Sequence, residues 1–300
     1  MKNIKVEIVT PVYNRRELTV QCLRSLSRID RTNLDVHVIV VDSGSTDGTV
    51  EAIRTEFPAV EIIEADDSLW YTAAANRGFV RALEHKPDYI LTVNDDGIFD
   101  SKFLISLIDC AESNPRSVVG ALLLLWDKPE KVFQVAPKWD TFYGGWRHFQ
   151  QQTVQTVPQK AWEVGLIVGN CVLFPAQAIR EVGLMNEEKL PQYGDAEFTP
   201  RMKKLGWRLL IEPRARVFCQ PNTPPKRLSQ MSLGELYRSL WQDRRKPHNL
   251  RCRFYSYWNS APSKPQAVAA FSIYIARLGL QAIGFERKEP EEKSLAKEYA

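Results

Sequence analysis

The sequence is notable first for what it lacks. Its five cysteines, Cys22, Cys110, Cys171, Cys219 and Cys252, are odd in number and scattered. No CxxC occurs and no Cys/His cluster has zinc spacing, which excludes a zinc ribbon and a disulfide-stapled scaffold and fits free thiols in a reducing compartment. There is no GxGxxG and no GxxxxGK[ST], so a dinucleotide fingerprint and a P-loop are both missing. No apolar run reaches the ~20 residues that a spanning helix needs. The longest, residues 267–285, is interrupted by Arg277 and Gln281 and reads as an amphipathic or buried helix. The first ten residues carry no apolar h-region, so no signal peptide is expected. Internal repeats and low-complexity tracts are absent as well.

Charge of one sign is also scarce overall: 40 basic against 36 acidic residues leave a net +4 over 300 residues. A balance so mild gives no reason to expect nucleic acid as a partner. The basic residues are nevertheless uneven. Arg214, Arg216, Lys226, Arg227, Arg238, Arg244, Arg245, Lys246, Arg251 and Arg253 crowd the C-terminal third. Such a region suits a phosphate-bearing acceptor or an anionic membrane surface, and equally a solvated face. With 44% hydrophobic residues, the chain can bury a substantial core as one large domain, or one domain with an appendage.

Strands and helices alternate through the first third. Residues 6–10 form a β-rich run stopped at Pro11. Residues 16–29 place Leu18, Cys22, Leu23 and Leu26 at helical spacing, and residues 36–41 are nearly continuous in β-branched side chains, the mark of a central parallel strand. A turn over 43–48 leads to a helix over 49–57, with Thr46 or Asp47 as its cap. A strand over 60–63, a helix over 71–85 and a strand over 89–93 follow. Four βα units predict a doubly wound, mostly parallel α/β sheet. Right-handed crossovers would bring every strand's C-terminal end to one edge, where ligands of such sheets bind. Asn14, Asp42, Asp66, Asp67, Asp95 and Asp96 all follow predicted strand ends. Further on, residues 118–125, 165–174 and 208–211 read as strands, and 199–205, 228–240 and 268–280 as helices. The aromatic-rich segment 139–149 reads as a pocket lining or as packing, and residues 221–225 as a Pro-rich linker.

Three clusters carry chemistry. Asn94-Asp95-Asp96 follows an apolar strand, where adjacent carboxylates are costly unless a cation compensates them. A divalent metal bound to a diphosphate would do so, although a polar strand-end turn is the plainer account. Asp42, at the head of Ser43-Gly44-Ser45-Thr46-Asp47-Gly48, could accept hydrogen bonds from a base or ribose, with capping as the alternative. Asp195, before the helix that carries Arg201, could act as general base or simply as an N-cap, and Glu197 competes with it.

Taken in order and spacing, these motifs resemble the family-2 glycosyltransferases of the A-type (GT-A) nucleotide-sugar fold. Thr10-Pro11-Val12-Tyr13-Asn14 looks like the family's opening strand and loop, and Val41-Asp42-Ser43-Gly44-Ser45 its second motif. Asn76-Arg77-Gly78 is similar to its Asn-x-Gly helix, and Asn94-Asp95-Asp96 stands at its DxD position. Gly183 to Glu187, then Tyr193-Gly194-Asp195 and Arg201, with Gly206-Trp207 after it, resemble its acceptor side. The likeness covers about residues 5–220. It implies a catalytic domain over 1–220, with a nucleotide-sugar half (1–100) and an acceptor half (101–220), followed by a helical extension over 221–300. It further implies an inverting, non-processive sugar transfer. Thr10, Pro11, Tyr13, Asn14, Asp42, Arg77 and Asp95 would hold the donor, Asp96 would ligate Mg²⁺ or Mn²⁺, and Asp195 would be the base. The donor would be a UDP- or dTDP-sugar and the acceptor a glycan or lipid-linked glycan.

Two positions depart from the pattern: Asn94 replaces the first Asp of DxD, and Gly194 stands where the family usually has Glu. No Gln-x-x-Arg-Trp of processive synthases is present. Asp66 to Tyr71 and Gly169-Asn170 are similar to rhamnosyltransferase-like members, which points to bacterial cell-surface polysaccharide or O-antigen assembly. The expected setting is cytoplasmic, at the inner face of the cell membrane, with peripheral membrane contact or a homo-oligomer formed by the C-terminal third. A nucleotidyltransferase making nucleotide sugars and a catalytically inactive binder are the competing expectations.

Overall fold

A computed structural model describes residues 3–221, 226–285 and 292–299. The expected linker at 221–225 lies almost wholly outside them. The first third forms β1 (Ile4–Val12), α1 (Arg16–Ser27), β2 (Leu34–Asp42), α2 (Thr49–Glu56), β3 (Glu61–Glu64), α3 (Tyr71–Glu84) and β4 (Tyr89–Val93). β2 and β4 flank β1, and β3 flanks β2, all in parallel register. Both faces are covered, which explains the near-continuous apolar strands. Val6 and Ile8 of β1 and Val38 and Val40 of β2 pack with Cys22, Leu23 and Leu26 of α1. Val9, Ile39 and Val41 point the other way onto Ala74, Ala75 and Phe79 of α3. Gly78 permits that second contact, since a Cβ there would lie 2.1 Å from Val9 Cγ1.

The chain continues through β5 (Ile98–Phe99), α4 (Phe103–Ser113), β6 (Ser117–Leu125), β7 (Val135–Asp140), β8 (Gly145–Phe149), β9 (Trp162–Glu163), β10 (Cys171–Pro175), α5 (Ala176–Val182), α6 (Asp195–Lys204) and β11 (Arg208–Cys219). The main sheet runs β3-β2-β1-β4-β10-β6-β11-β5, with β9 on β11. β10 is antiparallel to both β4 and β6, whereas β6 and β11 are parallel. The sheet is therefore mixed but mostly parallel. Two strand expectations need correction. The strand expected over 165–174 begins only at Cys171; residues 165–170 are irregular and end in a turn at Gly169 and Asn170, and the Ile167 and Gly169 amides donate to Thr199 Oγ1 and Asp195 Oδ2. The short strand expected over 208–211 continues to Cys219, through a register shift between Glu212 and Arg216.

The aromatic-rich segment is a separate hairpin, β7–β8. Its Trp139 meets Trp146 and Tyr257 edge to face at 5.5 and 5.1 Å, so packing is what it does. Gly145 sits at φ 120° and would otherwise place a Cβ 2.4 Å from the Tyr257 ring.

The C-terminal region contains α7 (Leu233–Tyr237), α8 (Leu250–Ser260), α9 (Lys264–Ala282) and α10 (Leu295–Glu298). The single helix expected over 228–240 is broken. A 3₁₀ turn at Leu228–Gln230 ends at extended Met231, and Ser232 restarts the helix with a capping box to Glu235. The region is bonded to the segment between α5 and α6. Arg244 donates to Glu188 O at 2.7 Å, and Asn186 Nδ2 donates to Tyr255 Oη at 2.7 Å.

Candidate active site

A cleft of about 380 Å³ opens at the C-terminal edge of the parallel strands. Pro11 at the end of β1, Tyr13 and Arg15 after it, Ser43 after β2, Asp67 after β3, and Asn94 and Asp95 after β4 line it. Trp70 and Tyr71 at the head of α3, with Gln192 and Arg245, close the opposite wall. Arg245 comes from the C-terminal region and lies 5.0 Å over the Trp70 ring.

Several expected residues sit just behind this lining. Asp42 Oδ2 accepts from the Gly44 and Ser45 amides at 3.1 and 2.9 Å. Its other oxygen, Oδ1, is buried with no partner, as are Thr10 Oγ1 and Asp96 Oδ1. Asn14, held at φ 50°, takes the Ser45 hydroxyl on its amide and accepts from Thr46 N at 2.7 Å. It therefore clamps the β2–α2 loop and does not line the cleft. Asp47 rather than Thr46 satisfies the α2 N-terminus, accepting from Thr49 N at 3.1 Å. Arg77 is exposed on α3 and lines a different depression with Val80, Glu84 and Leu184, so the structure does not bring it to the cleft. Its neighbour Asn76 is buried and pins the segment after α5, bonding both the amide and the carbonyl of Met185 at 3.0 and 2.9 Å.

The two carboxylates after β4 share one cation. Arg15 donates from Nη1 to Asp95 Oδ1 and from Nη2 to Asp96 Oδ2, each at 2.8 Å. Burial pushes the Asp95 carboxyl up to about 7; Arg15 opposes this and Asp96 adds to it. Nothing in the sequence singles out Arg15 for this pairing, because its partners lie 80 and 81 residues away.

Asp195 opens α6 and is tied to the cleft by the turn before β10. Its Oδ2 accepts from Gly169 N at 3.0 Å, and Tyr71 Oη donates to Gly169 O at 3.2 Å. The next residue, Asn170, accepts from Asn94 N at 3.0 Å. One turn thus links the carboxylate pair, Tyr71 and Asp195. Gly169 fits there because a Cβ would lie 3.1 Å from Asp195 Cβ and 3.2 Å from Tyr71 Oη. Desolvation raises the Asp195 pKa against the opposing amide bonds. Glu197 is placed otherwise: it is buried and ion-paired with Arg201 at 2.9 Å.

Gly194 has a packing cause. A Cβ there would come 2.6 Å from Thr72 Cγ2 and 3.0 Å from Met185 Sδ. Thr72 Oγ1 accepts from Gly194 N at 3.1 Å and donates to Leu190 O at 2.6 Å.

Comparison with known proteins is consistent with this geometry. The profile of Glycosyl transferase family 2 matches residues 7–183, more than half of the chain. The chain belongs to this family. The N-acetylglucosaminyl-diphospho-decaprenol L-rhamnosyltransferase of Mycobacterium tuberculosis is 26% identical over 210 residues, covering 62% of this chain and 67% of that enzyme. The poly(ribitol-phosphate) beta-glucosyltransferase of Bacillus spizizenii is 26% identical over 180 residues, 57% of this chain but 27% of its own length. Among solved structures, GalNAc-T7 with UDP, GalNAc and Mn²⁺ superposes with a TM-score of 0.61 at 12% identity, over 94% of this chain and 55% of that one. Residues 1–349 of S. aureus TarS give 0.57 at 13% identity, over 91% and 71%. The likeness shows a GT-A fold. This chain is a family-2 glycosyltransferase of that fold, with a helical C-terminal region. Among the described residues, no helix is long and apolar enough to cross a membrane.

Proposed function

We propose that this glycosyltransferase moves one sugar at a time, with inversion, from a nucleotide diphosphate to an acceptor hydroxyl, in the assembly of a bacterial cell-surface polysaccharide. The observation that carries the reading is the set of buried, partnerless oxygens on Thr10, Asp42 and Asp96 around one cleft. Buried polar atoms are nearly always satisfied, and these three lie next to residues that line the cleft, which supports a polar ligand there. Asp42 and Thr10 suit the base and ribose of a nucleotide, with Pro11 and Tyr13 forming the apolar wall.

The donor set fits a divalent cation. Asp95 and Asp96 are oxygen donors that already hold a positive charge in Arg15. Mg²⁺ or Mn²⁺ held by Asp96 would supply Lewis-acid stabilisation of the departing diphosphate. GalNAc-T7 and a Pyrobaculum calidifontis mannosyltransferase were both crystallised with Mn²⁺, the latter with GDP-Man, at TM-scores of 0.61 and 0.54. Asp195 would take the proton of the acceptor hydroxyl on Oδ1, since Gly169 N holds Oδ2 in place. Desolvation raises its basicity toward that task. Arg245, paired with Asp243 at 3.0 Å, places a guanidinium on the cleft wall, where an anionic donor or acceptor would lie.

The rhamnosyl- and glucosyltransferase relatives favour a glycan or lipid-linked glycan acceptor over nucleotide-sugar synthesis. A site at the inner face of the membrane suits the C-terminal region. α9 exposes Val268, Ile275, Leu280 and the following Ile283 along one side, in a segment that carries most of the clustered arginines and lysines. The clustered basic residues precede α9 in sequence, and an exposed apolar stripe in a basic region suits an anionic bilayer surface. Flotation with anionic liposomes at low salt tests this; protein left at the bottom, or a dimer formed through the stripe, refutes it.

The reaction is tested by nucleoside diphosphate release from a panel of nucleotide sugars, with Mg²⁺ or Mn²⁺ and with EDTA, on wild type and Asp96→Ala. Release from one donor, lost with EDTA and in the variant, is the expected result. Donor binding without turnover on any glycan acceptor would identify a catalytically inactive binder.

A further inference from the structure

The cation that the carboxylate pair holds is supplied by the chain itself. The Arg15 guanidinium bridges Asp95 and Asp96 with two parallel bonds of 2.8 Å, a geometry that an arginine satisfies and a lysine cannot. Its backbone is fixed as the N-cap residue of α1, whose Thr19 returns both its amide and its hydroxyl to Arg15 O at 2.9 and 3.0 Å. The side chain is less constrained. It is 39% exposed and lines the cleft, while Asp95 and Asp96 are 6% and 14% exposed.

We infer that Arg15 is a guanidinium lock on the Asp95–Asp96 pair, which a divalent cation must displace and which then turns to the donor diphosphate. The inference rests on the metal-assisted reading of the site. Its physical basis is competition. Two adjacent carboxylates need positive charge, and the one Asp96 oxygen that Arg15 leaves without a partner, Oδ1, is buried, so an ion entering from the cleft meets oxygens that the guanidinium already holds. A displaced Arg15 needs another anion, and a diphosphate, to which a guanidinium binds bidentately, is the anion a nucleotide sugar brings into this cleft. Metal alone therefore meets the full cost of breaking the bridge. Metal arriving with a diphosphate does not, because the guanidinium regains a partner. Binding of the two becomes mutually reinforcing, by the same factor in either order. The lock also keeps the empty site satisfied, so the enzyme does not expose two uncompensated carboxylates between turnovers.

The experiment is Mn²⁺ binding followed by electron paramagnetic resonance, with and without UDP, GDP or dTDP, on wild type, Arg15→Ala and Arg15→Gln. Circular dichroism and thermal unfolding verify the fold of each. In wild type, one of the nucleotides should tighten Mn²⁺ roughly 5–150-fold, the range usual for coupled sites. In both variants Mn²⁺ alone should bind about tenfold more tightly than to wild type, the nucleotide enhancement should shrink, and Mn²⁺ should raise the unfolding temperature more than it does in wild type. If wild type binds Mn²⁺ and the folded variants bind it equally or more weakly, the lock is refuted while the metal reading stands. If none of the proteins binds Mn²⁺ with any nucleotide, the metal reading falls and the lock falls with it.

Discussion

Replacing Asp195 by Asn separates chemistry from architecture at this site. The two side chains have the same shape, and the Asn oxygen can still accept from Gly169 N, the 3.0 Å bond that fixes the residue. The turn linking Asn94, Tyr71 and α6 should therefore persist. What is lost is the ability to hold the acceptor's proton. General-base catalysis contributes about 10²–10⁴-fold, which corresponds to roughly 2.7–5.4 kcal/mol of barrier at 1.36 kcal/mol per decade. Nucleoside diphosphate release should show kcat reduced by that factor with donor KM little changed. The wild-type pH profile gives an independent check. Desolvation raises the Asp195 pKa, so the base is ionised above that raised value and kcat/KM should fall, with unit slope, at a pH above the ordinary carboxylate range. That acidic limb should vanish in Asp195→Asn.

Stability should move the other way. A carboxyl whose pKa is higher in the folded than in the unfolded chain binds its proton more readily when folded. Its ionised form therefore costs stability at neutral pH, and the cost disappears as pH falls below the unfolded value. Asp195→Asn should accordingly unfold at a higher temperature than wild type at neutral pH and lose that advantage in acid. A variant that keeps more than a tenth of wild-type kcat would show that Asp195 is not the base.

Two further outcomes follow from the packing. Gly194→Ala would place a Cβ 2.6 Å from Thr72 Cγ2. It should cost about 1–3 kcal/mol as overpacking, a fall of ~2–4 °C in unfolding temperature per kcal/mol; Thr72→Ser, which removes the methyl, should restore part of it, and an unshifted single variant would refute the close approach. Arg245→Ala removes a guanidinium from the cleft wall with its contact to Trp70, and leaves Asp243 without its ion-pair partner. Equilibrium binding of the nucleotide donor should weaken about tenfold, or ~1.4 kcal/mol, with a smaller dependence on salt than in wild type; unchanged affinity would place the donor away from that wall.

The parts of the fold legible in the sequence are those where one physical cause acts locally. β1 to β4 could be read because strands buried on both faces carry continuous β-branched residues, and their C-terminal carboxylates fell on one edge for the same topological reason. The parts that were not legible depend on partners far along the chain. Residues 165–170 are as apolar as a strand, yet Gly169 spends its amide on Asp195 and Asn170 its carbonyl on Asn94, 76 residues earlier. The helix expected over 228–240 has good helical composition, but Ser232 and Glu235 form a new N-terminus inside it. Arg77 looked like a phosphate ligand by position, whereas helical phase carries it to the exposed side of α3, between the buried Asn76 and Gly78 that do the packing.

The departures from the family pattern are better judged from space than from sequence. Gly194, where an acidic residue is usual, reads in the sequence as a sign of a degenerate site. In the structure it is the position at which the head of α3 closes on the acceptor loop. Thr72 occupies the volume a side chain would need and takes the Gly194 amide, while its own amide donates to Pro191 O. A glutamate could not be accommodated there without moving Thr72, and with it Tyr71, whose hydroxyl contacts the turn that orients Asp195. The missing carboxylate therefore reflects a tighter junction between the two halves of the site. Asn94 stands similarly. Its amide is committed to Asn170, and its side chain lines the cleft beside a carboxylate pair that one guanidinium already neutralises. A third carboxylate at that position would leave the metal-free site with an excess negative charge that Arg15 alone could not compensate. The two substitutions thus belong with Thr72 and Arg15 in one consistent arrangement, which is what a working site built on different local contacts would require.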